Sequence, residues 1–289
     1  MSRRTLLLTV AVLNAFFLSG SDAIPHNLSG EESPRAEVSR PWIMVGLSPW
    51  NQGGGRAFSV IKQLSGNSHG IFVHFTKFSL ELVRETEPEF IILSPQGTPW
   101  CQYTGERGVA LQSFLWTLPI IAEELNIPIL GICGGHQALA LAFGGKVGPI
   151  RGGEADCFPY TRDRQTGVVP LKLETPDPLF FGIDGSIHIV ESHYDEVKSL
   201  PPGFILLASE PRSPYQIIRH ATKPVYGIQG HPEYFSSHRP DGGVLIKNFL
   251  RIALSRQQPR EMKASIETPE EKQSLDKRGA PKVAPKQTN

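Results

Sequence analysis

The apolar positions of this chain fall into short runs broken by turn residues, and the spacing within the runs alternates between strand-like and helix-like. Ile43, Met44, Val45 and Leu47 form a first apolar run, which predicts a buried strand. Residues 56–65 repeat their apolar positions at helical spacing. Residues 70–75 predict a second strand and 78–86 a short helix. Phe90, Ile91, Ile92 and Leu93 stop at Ser94-Pro95-Gln96-Gly97-Thr98-Pro99, a strand running into a Gly/Pro turn. Residues 106–125 predict a long, partly amphipathic helical segment that Pro119 should kink or divide. Residues 127–132 are apolar on both faces, as a central parallel strand requires. Cys133-Gly134-Gly135-His136-Gln137 then turns the chain into a helical run over 138–143, closed by Gly144-Gly145.

The second half reads differently. Short strand-like pieces at 168–173, 187–191, 205–208, 216–219 and 225–228 are separated by Asp- and Pro-containing turns. Residues 243–254 form a closing helix, with apolar side chains at 245, 246, 249, 250, 252 and 253. Alternating strands and helices predict an α/β domain with a mostly parallel central sheet, and the second half predicts a smaller antiparallel part attached to it. No internal repeat is visible.

The ends depart from this pattern. Met1-Ser2-Arg3-Arg4, an apolar run over 6–18 and Ser21-Asp22-Ala23 have the layout of a signal peptide over 1–23. The run is too short for a stable membrane span, so the expectation is export to a periplasmic or secreted location, with a loose match to a twin-arginine signal. Residues 24–40 read as a leader, 41–255 as the domain, and 256–289, poor in apolar residues, as a flexible tail.

Composition adds constraints. Lys+Arg total 29 against Asp+Glu 28, with no basic stripe, so nucleic acid is not an expected partner. Gly53-Gly54-Gly55 lacks a following Gly-Lys-Ser/Thr and reads as a loop rimming a cleft rather than a phosphate cradle. The 3 cysteines cannot all pair within one chain. Cys101 and Cys157 can bridge and leave Cys133 free, or both can be buried thiols, and the second arrangement is favoured. The 9 histidines form no metal-ligand spacing, so no metal is expected.

Two segments carry candidate chemistry. Cys133 stands where a buried strand gives way to a helix, the layout of a nucleophile elbow, and a helix N-terminus favours a negative sulfur. A small apolar cysteine packed behind a Gly-rich turn would look the same. His231-Pro232-Glu233 offers a base and a carboxylate to orient it, or a pair on a surface loop.

Together these segments resemble the class I glutamine amidotransferases. The matching residues are 129–137 with Gly144-Gly145-Lys146-Val147, Tyr226 to Glu233, Ser192-His193-Tyr194-Asp195-Glu196-Val197 with Leu200-Pro201 and Gly203-Phe204, and the 92–99 loop. The resemblance implies a flavodoxin-like fold without a cofactor. It implies Cys133 as nucleophile, His231 as base and acid, and Glu233 as the orienting carboxylate. It also implies Gly134 as one oxyanion donor, Gln96 or Gly97 as the second, and Gln137 and Tyr194 on the substrate side. His136 and His193 take structural roles.

The sequence departs from the family at two places. The 94–99 loop lacks the usual Gly-Gly-Pro or Pro-Gly-Pro-Gly element. Gly230 stands where the family has a bulky aromatic, which should widen the pocket beside His231 unless Tyr194 or Trp100 fills it. The expected function is an exported thiol amidohydrolase that cleaves glutamine or a γ-glutamyl amide through a γ-glutamyl thioester. The alternatives are a glutaminase subunit delivering ammonia to a separate synthase, or a non-catalytic binding or maturation protein of the same fold.

Overall fold

The computed structural model describes residues 40–50, 55–152 and 163–255. The expected signal peptide, nearly all of the expected leader, the 256–289 tail and Cys157 lie outside the described residues.

The chain begins with β1 (Trp42–Gly46), α1 (Gly55–Ser65), β2 (Gly70–His74), α2 (Leu80–Thr86) and β3 (Ile91–Leu93). It continues through α3 (Gly105–Ile120), β4 (Ile129–Ile132) and α4 (Gly134–Ala142). Strands β5 (Lys146–Pro149), β6 (Gln165–Leu173), β7 (Ile187–His193), β8 (Asp195–Ser199), β9 (Phe204–Ser209), β10 (Ile217–His220) and β11 (Val225–Ile228) follow. Helix α5 (Asp241–Ser255) comes last.

Nine strands make one sheet in the order β2-β1-β3-β4-β11-β10-β9-β6-β7, and β5 pairs with β8 apart from it. The first five strands are parallel, with Gly131 of β4 level with Gly227 of β11. From β11 outward every pairing is antiparallel. The antiparallel strands expected in the second half therefore extend the parallel sheet rather than forming a separate layer.

Strand periodicity explains the continuous apolar runs. Side chains alternate between faces along a strand, so both faces of a covered sheet demand apolar residues. Trp42, Met44, Phe90, Ile92, Leu130, Ile132, Tyr226 and Ile228 face α1 and α5, which contribute Ala57, Ile61, Leu245, Ile246 and Phe249. Ile43, Val45, Ile91, Leu93 and Ile129 face the other way, onto Phe114, Leu118, Ala138 and Leu139 of α3 and α4.

Pro119 does not divide the long helix. Helix α3 passes through it to Ile120 and continues as one π-helical turn, Ile121–Leu125, before Asn126 ends the run at φ 53°. Proline has no N–H and crowds the turn before it, while the π-helical turn lies on its other side. Cys101 is disulfide-bonded and Cys133 is free, so Cys101 is not the buried thiol that the favoured sequence expectation made it.

Candidate active site

The parallel strands all end on one edge of the sheet, and in open α/β sheets ligands bind outside those carboxyl ends. The 94–99 loop leaves β3 there, Cys133 leaves β4, and the segment leading to His231 leaves β11.

Cys133 occupies φ 50°, ψ −106°, a combination that L-residues avoid. Such backbone strain costs about 1–3 kcal/mol and persists only where the surroundings enforce it. Here the Cys133 N–H donates to the Ile228 carbonyl at 2.8 Å, and the Gln137 N–H donates to the Cys133 carbonyl at 3.1 Å. Glycines on the helix side make the close approach possible. A Cβ at Gly135 would collide with the Leu93 carbonyl of β3, and one at Gly134 would collide with the Gln96 side chain. The elbow thus sits against the 94–99 loop, with Gly134 and Gln96 in contact. The thiol itself is almost fully buried, 4.0 Å from the Gln96 carbonyl oxygen and 3.9 Å from Gln229 Nε2.

His231 is pinned from β7, where the Val190 carbonyl accepts its N–H at 2.7 Å. The chain then makes a 3-10 turn, Pro232–Tyr234, with proline at its first position, which folds Glu233 back under the ring. His231 Nδ1 lies 2.8 Å from Glu233 Oε1, and Glu233 is buried. With Nδ1 engaged by Glu233, the buried Nε2 is the nitrogen left for proton transfer with Cys133. Burial lowers the basicity of this imidazole, but hydrogen bonds and charge from Cys133 and Glu233 outweigh it and push its pKa up to about 11. With its pKa raised this far, His231 keeps its proton as an imidazolium.

On the other flank of the thiol, a narrow cleft is lined by Gln96, Gly97, Thr98, Pro99, Gln137, His193, Tyr194 and Asp195. The Gln137 side chain is held on both ends. Its Nε2 donates to the Asp195 carbonyl at 2.6 Å and to Gln229 Oε1 at 3.2 Å, and its Oε1 accepts from Trp100 Nε1 at 2.8 Å. Burial raises the pKa of the Asp195 carboxyl, opposed by the Trp100 backbone N–H and the nearby His193. Sequence reasoning did not single out Asp195 or Gln229 for the site, and it named Trp100 only as a filler beside His231 rather than as a partner of Gln137. The first two lie inside the quoted motifs, and Trp100 directly follows the 94–99 loop.

The space beside His231 left by Gly230 is not open. A Cβ there would lie 2.6 Å from Glu191 Oε1 and 2.8 Å from Ile189 Cγ2, so β7 fills the place of the family's aromatic, rather than Tyr194 or Trp100. Glu191 is itself buried, 3.1 Å from His193 Nε2, and burial raises its pKa. His193 Nδ1 reaches the Asp195 carbonyl oxygen at 2.9 Å. His136 is fully buried behind the elbow, and burial with the neighbouring His193 lowers its pKa to about 3. Neither His136 nor His193 contacts the thiol. No group of metal-ligating side chains is present among the described residues.

A strained cysteine at a strand–helix corner, a histidine backed by glutamate, and this sheet order define a class I glutamine amidotransferase. The Glutamine amidotransferase class-I family model matches residues 68–253, and the chain belongs to that family. It is an enzyme of the cysteine hydrolase type that acts on an amide C–N bond.

Its relatives narrow the likeness. The glutamine-hydrolyzing GMP synthase subunit of Thermococcus kodakarensis is 37% identical over 173 residues, 60% of this chain and 80% of the relative. The Pyrococcus abyssi protein of the same name is 36% identical over the same shares. A crystal structure of a GMP synthase subunit from Thermoplasma acidophilum superimposes with TM-score 0.58 and 26% identity, covering 77% of this chain and 98% of that one. A glutamine amidotransferase from Thermotoga maritima, TM-score 0.51 at 15% identity, shares the fold and covers 83% of this chain and 91% of its own.

Proposed function

We propose that this chain is a glutaminase component that releases ammonia from glutamine and passes it to a separate synthase. The single observation that carries the chemistry is the His231–Glu233 pair, with Glu233 buried, at the same sheet edge as the strained Cys133 elbow. The relatives, named as glutamine-hydrolysing subunits, support delivery to a partner.

The Cys133 sulfur attacks the γ-carbonyl carbon, and the C=O electrons move onto oxygen. The N–H groups of Gly134 and of Gln96 or Gly97 receive that oxyanion; one such donor contributes about 2.7–4 kcal/mol. His231 Nε2 gives its proton to the departing nitrogen, which leaves as ammonia, and a γ-glutamyl thioester remains. Water then attacks the thioester. His231 takes the water's proton, and glutamate departs as sulfur regains its charge. Glu233 holds the ring orientation and stabilises the imidazolium throughout. Gln137, Tyr194 and Asp195 hold the amino-acid end of the substrate. Incubating purified protein with glutamine tests this: ammonia release that disappears in Cys133→Ala is expected, and equal release from both proteins would sink it.

A second reading has its own support. The disulfide at Cys101 suits an oxidising compartment, as does the signal-like N-terminus. On this reading the chain is exported and hydrolyses glutamine or γ-glutamyl amides without a synthase. Fractionating cells that express the full chain, with sequencing of the mature N-terminus, separates the two. Cleaved protein outside the cytoplasm supports export, and intact cytoplasmic protein excludes it.

A further inference from the structure

The two flanks of the thiol differ in size, and the flank on the base side is larger than ammonia needs. A cavity of about 230 Å³ is lined by Ser48, Arg56, Ser94, Gln96, His231, Glu233 and neighbouring backbone. A site for one water-sized molecule, which is also the size of ammonia, needs about 10–15 Å³. His231, which donates the proton to the leaving nitrogen, lines this cavity, so a leaving group has room to extend into it.

Arg56 gives the cavity a chemical preference. Its Nε donates to the Glu233 backbone carbonyl at 2.8 Å, and its guanidinium carbon lies 5.0 Å over the Tyr234 ring. These two contacts fix the plane of the fork while no carboxylate among the described residues pairs with its terminal nitrogens. A planar fork held in this way matches a carboxylate with two parallel hydrogen bonds. Among the described residues, the other charges facing the cavity are the His231 imidazole and the Glu233 carboxylate, whose Oε1 is committed to His231 and whose Oε2 is buried. The first turn of α1, at the rim, carries no acidic residue.

We propose that this cavity is a leaving-group subsite for an amine that bears a carboxylate, so that γ-glutamyl amino acids are substrates and Arg56 is the residue that selects them. The inference rests on the amide-hydrolase reading and deepens its substrate class. The γ-carbonyl sits at Cys133, the glutamyl part lies on the Gln137 side, and the amino-acid leaving group extends past His231 with its carboxylate on Arg56. The same steps apply as with glutamine: the C–N bond breaks, His231 protonates the nitrogen, and the free amino acid leaves in place of ammonia.

The test compares γ-glutamylglycine with γ-glutamylglycinamide, which differ only in the leaving-group carboxylate, and includes glutamine as reference. Wild-type protein should favour γ-glutamylglycine in kcat/KM by about tenfold or more, the size of one charge-assisted fork contact. Arg56→Met should bring that ratio close to one, and Arg56→Lys should retain part of it. Because only the ratio is read, any general loss from disturbing the Glu233 contact cancels. A wild-type ratio near one alongside measurable glutamine turnover overturns the proposal, as does an unchanged ratio in folded Arg56→Met protein. Calorimetric binding of both dipeptides to Cys133→Ala protein supplies an arm without turnover. If no amide is hydrolysed, the hydrolase reading fails separately. Binding tighter by about tenfold for the carboxylate form would still support the subsite, and equal binding would overturn it.

Discussion

The two sides of Cys133 are built on different principles. On the Gln137 side the polar groups are paired with one another: Gln137 is tied to Trp100, Asp195 and Gln229, and His193 to Glu191 and Asp195. On the His231 side the cavity is wide, and the guanidinium at its rim has terminal donors that no carboxylate among the described residues engages. A side whose polar side chains are tied to one another is preorganised for one small ligand and tolerates little variation. A side with room and an open cation tolerates variation and adds preference. The difference locates selectivity for the glutamyl part in the packed flank and selectivity for the leaving group in the open one.

The largest effect should come from the atoms both sides share. Cys133→Ala should lower glutamine turnover by at least about a thousandfold, because nothing else near the elbow can form the thioester. The same substitution removes a hydrogen bond and a charge that raise the His231 pKa, so the imidazole titration, followed by NMR, should move down from about 11. Glu233→Gln should move it down as well and should cost turnover less than loss of the nucleophile, because Cys133 remains to raise the histidine.

Stability should follow the same group. The folded pKa of His231 lies above its ordinary 6.5, so its interactions stabilise the fold fully below about pH 6.5. That contribution declines as pH rises through 11 and the imidazolium loses its proton. Unfolding midpoints measured from about pH 6 to about pH 11 should show an alkaline decline that is shallower in Cys133→Ala. Parallel curves would break the link between Cys133 and the raised pKa of His231.

On the packed flank, Gln137→Leu should weaken glutamine binding, raising KM by about tenfold, since it leaves the Asp195 carbonyl and Trp100 Nε1 without a partner. An equal fall in kcat with KM unchanged would show that Gln137 acts on the transition state alone. The smallest effect on chemistry should come from Gly230→Leu. It restores bulk at the departed position but meets Ile189 and Glu191, and should lower stability by about 1–3 kcal/mol, read as a fall in Tm.

How much of this was legible in sequence follows from distance along the chain. Cys133, Gly134 and Gln137 lie in one strand-to-helix segment, so their pattern announces the elbow. His231 and Glu233 are two residues apart, and a 3-10 turn suffices to join them. The parallel strands were legible because both their faces are buried. Strands β5 and β8 were not, because Lys146, Gly148 and Pro149 carry no alternation that a half-buried strand would show. Arg56 meets Glu233 across 177 positions, and no local spacing encodes that contact. The Gly230 expectation failed for the same reason: the side chains that fill its space belong to β7, a distant segment whose register only the folded sheet reveals.

The central claim, a sulfur at position 133 that forms an acyl bond under the control of His231, is tested most directly by rapid acid quench with glutamine followed by proteolysis at acid pH and peptide mass mapping. A γ-glutamyl adduct on a peptide containing Cys133, absent from Cys133→Ala and slower to form in His231→Ala, is the predicted result. Ammonia release with no adduct at Cys133 at any time point, or an adduct on Cys101 instead, would contradict it.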